Sequence, residues 1–281
     1  MSIDRSEPLH TQGALRKMQV MLSTPVEYRL AFNDGQTVKL NDLLGQPIEL
    51  QYEGEIHCLH CGRKTSKSFN QGYCYPCFKR LPQCDSCIVK PELCHFHEGT
   101  CRDPAWGEQN CFAPHVVYLA NSSGLKVGIT RAQQIPTRWI DQGAVSALPI
   151  LEVDNRLHSG LVERIFAEHV SDKTNWRTML KGDQSEIDLT QERARLLALC
   201  ADSLASLRAT YGEASIRELD REPVRIEYPV LEYPAKVSSF NFDKQPRVTG
   251  TLLGIKGQYL ILDTGVINIR KFGAYQVSIR A

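Results

Sequence analysis

Two pairs of cysteines in the segment CLHCGRKTSKSFNQGYCYPC have the spacing of metal ligands. Cys58 and Cys61 form one CxxC pair, and Cys74 and Cys77 form a second, with twelve residues between the pairs. Each CxxC pair makes a tight turn whose thiolates point the same way, and four thiolates are a ligand set that structural zinc favours. The sequence therefore predicts a structural zinc here, with a redox or iron–sulfur role as the alternative.

A second cysteine cluster begins at CDSCIVKPELCHFHEGTC and extends to Cys111. Its CxxC pair, Cys84 and Cys87, needs two further ligands, and we expect Cys101 and Cys111 to supply them. The sequence offers more candidates than one zinc can use, namely Cys94, His95, His97, Cys101 and Cys111. Closed four-thiolate sites leave no position for a substrate. The chain is thus predicted to bind about two zinc ions, both structural.

Basic and aromatic side chains surround the first cluster. From Cys58 to Arg80 there are five basic residues and no acidic ones. Four thiolates and one Zn²⁺ carry a charge of about minus two, so this region keeps a charge of about plus three. Such a surface suits a nucleic-acid backbone and unstacked bases. The alternative is a solvated zinc finger whose rings cover the metal. The candidate nucleic-acid contacts here are Arg63, Lys64 and Lys67.

The elements that must position these residues fall into several segments. The 281 residues exceed the usual length of one domain, and a formal net charge of +1 does not favour a protein that coats polyanions. The predicted fold class is α+β, with the N- and C-terminal strands forming one small barrel or sandwich. The predicted segments are an N-terminal β segment (1–57), a Cys-rich zinc-binding segment (58–114), a small α/β domain (115–182), one amphipathic helix (183–221) and a C-terminal β domain (222–281).

The compartment is predicted from cysteine usage and from targeting patterns. Nine of the ten cysteines lie between Cys58 and Cys111, a clustering that indicates metal binding in a reducing environment rather than a disulfide scaffold. The sequence begins without a signal-peptide pattern, and no apolar run approaches the length of a membrane span. We therefore expect a cytoplasmic protein with no membrane partner.

A further group of residues lies in the stretch HVVYLANSSGLKVGITRAQQIPTRWIDQGA. Tyr118 ends an apolar run, Lys126 precedes a Val-Gly, and Arg138 stands beside Trp139. Together with the later Glu163 and Asn175, the ordered pieces VVYL, KVGIT and TRW resemble the landmarks of the GIY-YIG nuclease domain, over about 115–182. The Cys-rich segment followed by this stretch also resembles an uncharacterised bacterial family of unknown function that joins the two elements.

The GIY-YIG resemblance implies an α/β domain that hydrolyses phosphodiesters with Mg²⁺ or Mn²⁺. It implies that Glu163 binds the cation, that Arg138 holds the phosphate and that Tyr118 orients or deprotonates the attacking water. Asn175 matches the asparagine near the end of that domain. One departure is Lys126, which stands where the family has its second tyrosine: an ammonium can bind phosphate but cannot simply replace a tyrosine that activates water.

The sequence therefore favours a zinc-containing protein that binds DNA or RNA and acts as a GIY-YIG-type endonuclease. Arg131 and Trp139 are additional candidate contacts to nucleic acid. The first alternative is a catalytically inactive module that binds DNA, RNA or a ribonucleoprotein, which Lys126 favours. The second is a protein-interaction scaffold, in which case the partner would be another protein.

Overall fold

The computed structural model describes residues 9–281, so the first eight residues of the predicted N-terminal β segment (1–57) lie outside the described part. The chain divides into two compact units. Unit 1 combines Met1–Phe78 with Tyr228–Ala281, and unit 2 is the continuous stretch Lys79–Glu227. No helix in residues 9–281 is long and apolar enough to cross a membrane.

Unit 1 consists mainly of β-strands. Its elements are β1 (His10–Ala14), β2 (Gln19–Met21), β3 (Glu27–Ala31), β4 (Thr37–Lys39), β5 (Pro47–His57), β6 (Lys64–Thr65), β12 (Arg247–Lys256), β13 (Tyr259–Leu262), β14 (Gly265–Asn268) and β15 (Tyr275–Arg280). A short helix, α1 (Tyr75–Arg80), spans the boundary between the units in the sequence.

The N-terminal and C-terminal strands of unit 1 share one sheet. Its order is β1-β15-β5-β12-β13-β14, with β6 also paired to β5, and a separate three-stranded sheet has the order β2-β3-β4. The register pairs His10 with Arg280 and Leu50 with Ile279. The expectation that the two ends build a common sheet is therefore met. The expectation of a barrel is wrong, because the sheet is open in the described residues and β1 and β14 are not paired with each other.

Alternation of apolar and polar residues explains how β5 and β15 form the centre of this sheet. In β5, Ile48 and Leu50 are buried while Glu49 and Gln51 are less so, and in β15 Val277 and Ile279 are fully buried. Successive side chains of a strand point to opposite faces, so one face of each strand contributes to the core. The buried Ser278 hydroxyl donates to Glu53 Oε1 at 2.6 Å, which compensates its burial.

Unit 2 contains a mixed set of helices and strands. Its elements are α2 (Pro104–Cys111), β7 (His115–Asn121), β8 (Leu125–Arg131), α3 (Thr137–Asp141), β9 (Ser146–Val153), α4 (Arg156–Ala167), α5 (Trp176–Leu180), α6 (Leu189–Leu199), α7 (Ala201–Tyr211), β10 (Ile216–Glu218) and β11 (Val224–Arg225).

The sheet of unit 2 is antiparallel and has the order β10-β9-β7-β8, with β11 also paired to β9. All seven residues of β7 are buried, which suits a strand in the middle of the sheet. Helix α4 covers the sheet with Val162 and Phe166, which join the same apolar core as Val117 and Leu148. The β7–β8 hairpin and the helices α3 and α4 agree with the predicted small α/β domain, whereas strand β9 between the two helices was not predicted.

The predicted single helix over 183–221 is wrong. Two helices, α6 and α7, occupy this region and meet at Cys200, whose backbone (φ −96°, ψ 1°) leaves the helical range. Asp188 caps α6, since its carboxylate accepts from the N–H groups of Thr190 and Gln191 at 3.0 Å each. The apolar residues Leu196, Cys200 and Leu204 are buried on both sides of the break, so the spacing of buried residues alone could not reveal it.

Replacing Ile279 by alanine tests the shared sheet of unit 1. Ile279 is fully buried and stands opposite Leu50, so the cavity left by Ile279→Ala should lower the free energy of unfolding by about 2–5 kcal/mol. Hydrogen exchange should then accelerate in β1 and β5. Gln276→Ala on the same strand, at a less buried position, is the control. Unchanged exchange in β5 after Ile279→Ala would contradict this assignment.

Candidate metal centre and candidate active site

The first cysteine cluster brings four sulfur atoms together in unit 1. The Sγ atoms of Cys58, Cys61, Cys74 and Cys77 all lie within 4.8 Å of one another. The Cys61 and Cys74 sulfurs are 3.7 Å apart. A tetrahedral zinc with bonds of about 2.3 Å holds its sulfurs about 3.8 Å apart, so this arrangement could bind a zinc ion.

Local backbone structure explains why the sulfurs converge. The Cys58 carbonyl accepts from the N–H of Gly62, a residue with φ +72° that few other residue types adopt easily, and this closes the first turn. Burial alone would raise the pKa of the Cys58 thiol, but the N–H groups of Cys61, Cys74 and His60 outweigh burial and lower that pKa to about 6. Backbone donors aimed at a sulfur favour its thiolate form, which is the form that ligates metals.

The basic residues near this cluster are exposed but differ in their contacts with neighbouring side chains. Arg63, Lys64 and Lys67 are all exposed. Lys64 Nζ lies 2.6 Å from Glu55 Oε1, so part of its charge is balanced. Lys67 Nζ lies 5.3 Å from the centre of the Phe69 ring. All three side chains are exposed, and their contact with nucleic acid stays a prediction.

The predicted second ligand set is brought together only in part. Cys87, Cys101 and Cys111 line one small cavity in unit 2, and the fourth cysteine in its lining is Cys94 rather than Cys84. Cys84 is buried outside that lining. The ligand atoms of Asp85, Cys87 and His95 lie within 4.8 Å of one another, and the pairing of Cys84 with Cys87 as zinc ligands stays a prediction.

A second cluster of polar residues lies at the hairpin of unit 2. This cluster, the Tyr118 group, consists of Tyr118, Lys126, Arg138, Gln142, Glu163 and Asp172. The Tyr118 side chain is fully buried, and its hydroxyl donates to Gln142 Oε1 at 3.0 Å. Its ring lies over Gly128 of the neighbouring strand, where an added Cβ would be 2.7 Å from the Tyr118 oxygen. The hairpin thus needs glycine at 128 for the ring to occupy this position. Burial raises the pKa of Tyr118 to about 12.

Lys126 on β8 belongs to the same group and is buried, with 3% of its surface exposed. Its Nζ lies 3.4 Å from Thr174 Oγ1 and 3.5 Å from the Asp172 carbonyl oxygen. Burial and the positive charge of Arg138 lower the pKa of Lys126 to about 8, against the opposing effects of Glu163 and Asp172. The amine therefore stays mostly protonated at pH 7 but loses its charge more easily than an ordinary lysine.

Glu163 on α4 is a carboxylate whose charge acts on this amine. Burial and, secondly, the negative charge of Asp172 raise the pKa of Glu163 to about 7, against the opposing effects of Lys126 and Arg138. Three predicted residues from different elements, Lys126, Arg138 and Glu163, thus interact electrostatically. Perturbed carboxylates and amines that share one place are a recurring property of functional sites.

Other predicted residues have local structural partners. Asn175 is exposed and caps α5, accepting from the N–H groups of Arg177 and Thr178. Trp139 is buried and packs edge-on against Tyr118, with ring centres 6.0 Å apart, so it is not available to stack on a base in this structure. Arg131 is half-buried and donates to Asn110 Oδ1 at 2.5 Å.

Two residues of this group were not predicted from the sequence. Asp172 reaches it because the segment after α4 runs beside β8, where the N–H of Val127 donates to the Ser171 carbonyl at 2.9 Å. Gln142 reaches it as the residue that ends α3. The composition around Asp172 does not mark this residue as functional. The one sequence feature that could have pointed to it is that it is acidic and lies within ten positions of Glu163.

Comparison with known proteins places the chain in a family. A family model described as "Protein of unknown function (DUF2797)" matches residues 45–277, which include both cysteine clusters and the Tyr118 group. The chain belongs to this family. No curated protein and no solved structure matches the chain. The residues matched by the DUF2797 model include both the Cys-rich segment and the α/β segment that follows it. The family description names no activity.

Loss of one sulfur should empty the first metal centre. We expect Cys61→Ser to lower the zinc content by one ion per chain, because Cys61 is the exposed member of the four and serine is a poor zinc ligand. The measurement is elemental analysis of protein purified without chelator. His60→Ala, which removes the neighbouring potential ligand, is the control and should leave the zinc content unchanged. Equal zinc in Cys61→Ser and the wild type would exclude Cys61 as a ligand.

Proposed function

We propose that unit 2 binds DNA or RNA at the Tyr118 group and hydrolyses phosphodiester bonds with a divalent cation. The observation that carries the proposal is the meeting of Lys126, Arg138 and Glu163 beside Tyr118. Lys126 comes from β8, Arg138 from α3, Glu163 from α4 and Tyr118 from β7. If each residue had only a separate structural role, these side chains would not need to lie close together. The GIY-YIG resemblance supports the proposal through the same positions, in the same order.

Arg138 is the residue best suited to a phosphate. It is half-buried, and its positive charge acts on Tyr118, Lys126 and Glu163. A guanidinium offers two parallel N–H donors to a phosphate and keeps its charge at any physiological pH. We propose that Arg138 holds and neutralises the scissile phosphate while the Tyr118 phenol keeps the local geometry. The Tyr118 oxygen is itself held by Gln142.

Glu163 and Asp172 are the residues that would hold Mg²⁺ or Mn²⁺. They fit a hard cation because both offer carboxylate oxygens, and their mutual repulsion raises the pKa of Glu163, a cost that a bound cation would remove. When bound, such a cation supplies charge neutralisation at the phosphate and a water of lowered pKa. Glu163 must release its proton to act as a ligand.

Lys126 contributes positive charge beneath this site. Because the side chain is buried, direct contact with a nucleic-acid backbone is less suited to it than balancing the Glu163 and Asp172 carboxylates. We propose that protonated Lys126 Nζ plays that balancing role. The amine therefore does not take over the water-activating role of the tyrosine that the resembled family has at this position.

The second candidate function is recognition of nucleic acid without cleavage. Two observations favour it: Lys126 occupies the place of the second tyrosine, and Tyr118 has no exposed surface. In this reading the exposed Arg63, Lys64 and Lys67, on the segment shaped by the Cys58 cluster, would supply contacts to the backbone. The cysteine usage suits a reducing compartment, and we propose the cytoplasm as the place of action.

Cleavage assays with a Glu163 variant separate the two candidates. Labelled single-stranded, duplex and branched DNA and RNA would be incubated with Mg²⁺ or Mn²⁺. We expect the wild type to cut at least one substrate and Glu163→Gln to reduce the rate by about a hundredfold or more, since the amide cannot ligate the cation as a carboxylate does. Glu168→Gln, at an exposed position just after α4, is the matched control and should cut normally.

The outcomes of that assay are distinct. Tight, salt-sensitive binding with no cleavage by any form would discard the nuclease and support recognition alone. The absence of both binding and cleavage at low salt would exclude both functions.

The pH dependence of cleavage tests the state of Glu163. Its pKa is raised to about 7, and only the ionised form binds a cation, so the rate should rise as the pH increases through about 7. A bound cation favours the ionised form, so raising the Mg²⁺ concentration should move the midpoint to lower pH. A rate that is flat from about pH 6 to 8 at low Mg²⁺ would refute this account.

A further inference from the structure

Three side chains of different chemistry converge in the cysteine-rich part of unit 2. Asp85, Cys87 and His95 each offer one ligand atom, and these atoms all lie within 4.8 Å of one another. His95 Nε2 and Asp85 Oδ2 are 3.6 Å apart. Zinc bonds of about 2.0–2.2 Å to nitrogen and oxygen, in a tetrahedral site, hold the two ligand atoms about 3.3–3.5 Å apart. The observed separation is therefore close to that of two ligands of one zinc ion.

A hydrogen bond to Thr100 determines which ring nitrogen of His95 has a lone pair. The Thr100 hydroxyl donates to the His95 carbonyl at 3.2 Å, and its oxygen lies 2.7 Å from His95 Nδ1. Because a hydroxyl has a single proton, the same oxygen accepts from the Nδ1–H. A neutral ring protonated at Nδ1 has its lone pair on Nε2, the nitrogen next to Asp85. Metal-binding histidines are usually oriented by such a bond from their other nitrogen.

The contacts of Asp85 also suit a carboxylate that binds a metal. Arg102 Nε lies 2.7 Å from Asp85 Oδ2, and the Ser86 N–H donates to Oδ1 at 2.6 Å. Hydrogen bonds of this kind orient ligating carboxylates. A zinc ion with one thiolate, one carboxylate and one neutral imidazole has a total charge of about zero, so the site would not repel the Arg102 guanidinium.

A metal-free ion-pair network explains only part of this arrangement. In such a network a protonated His95 would pair with Asp85, but Arg102 already balances that carboxylate at 2.7 Å. The network would also give the Cys87 sulfur no reason to approach the other two ligand atoms. The three residues line one cavity of about 20 Å³, which has room for about one water-sized particle. A single ion accounts for the convergence of all three side chains.

We propose that Asp85, Cys87 and His95 bind a zinc ion, and that this ion fixes the segment against which helix α4 packs. The fourth ligand position is filled from within the cavity. Of the residues expected from spacing for a second zinc, only Cys87 belongs to this set. The proposal does not rest on the proposed function, because zinc binding here requires no activity of unit 2.

Contacts between α4 and the ligand-bearing segment support the second half of the proposal. The Arg156 side chain, at the first residue of α4, donates to the Cys87 carbonyl at 3.3 Å and also to the Ile88 carbonyl. At Gly160 the helix approaches the segment so closely that an added Cβ would lie 2.5 Å from the Glu92 nitrogen. One residue thus offers its sulfur to the metal and its carbonyl to the start of α4.

Zinc counting tests the ligand set. The wild type should contain about two zinc ions per chain, one of them in the Cys58 cluster, and His95→Ala should contain about one. His97→Ala is the matched control, because His97 is exposed two positions away, and it should keep both ions. Both ions in His95→Ala would overturn the assignment. So would a wild type with a single zinc that Cys61→Ser abolishes.

X-ray absorption at the zinc edge of the unmodified protein gives an independent measurement if a variant fails to fold. One four-cysteine site and the proposed site together predict that about two or more of eight ligands are nitrogen or oxygen, with outer-shell scattering from one imidazole. Sulfur as the only ligand type would overturn the proposal.

Hydrogen exchange tests the link between this metal and α4 without any reference to nucleic acid. In His95→Ala, amides of the first turns of α4 should exchange about tenfold faster or more, whereas those of β13 and β14 in unit 1 should not change. In His97→Ala neither region should change. Unchanged exchange of α4 in a His95→Ala protein that has lost one zinc would refute the dependence of α4 on the metal.

Discussion

The buried amine of Lys126 and the half-buried carboxylate of Glu163 interact electrostatically, and this pair constrains how the elements of unit 2 are held. Lys126 and Glu163 each shift toward their neutral forms because burial disfavours charge, and each is held back by the other. Such a pair is tolerated only if the surrounding elements hold both groups at fixed positions. The β7–β8 hairpin fixes the amine, α4 fixes the carboxylate, and the strand-like run at Ser171 fixes Asp172. The core that packs α4 against the sheet therefore also maintains the polar group above it.

The corresponding constraint for the Cys58 cluster is the convergence of four sulfur atoms that could bind a zinc ion. Between Cys58 and Cys111 the described chain has one two-stranded contact, short helices and a series of 3₁₀ turns, and most of its non-cysteine side chains are exposed or half-buried. Elements this short bury too little apolar surface to hold their own shape. Zinc bonds in the Cys58 cluster would take the place of a core around that cluster.

The parts that could be predicted from the sequence are those governed by local spacing. The sulfurs of Cys58, Cys61, Cys74 and Cys77 converge because two CxxC turns arrange their own thiols. The closeness of Asp85, Cys87 and His95 depends on how successive 3₁₀ turns pack, which no spacing encodes. Asp172 was missed for the same reason: its place beside Glu163 follows from a backbone contact with β8. The break at Cys200 was invisible because the spacing of buried residues continues through it.

The division of unit 1 into two separated pieces of sequence has a consequence for the order of folding. Lys79–Glu227 is continuous, so unit 2 can assemble on the ribosome as soon as its own residues have emerged. Strands β1 and β5 must wait, because their shared partner β15 is made last of all their neighbours. During that interval the apolar face of β5 and the open edges of β1 and β5 are exposed to solvent and to other nascent chains. If the Cys58 cluster bound a metal early, the chain between its cysteines would be held in a closed loop. The unfolded part of the chain next to β5 would then be shorter until β15 is made.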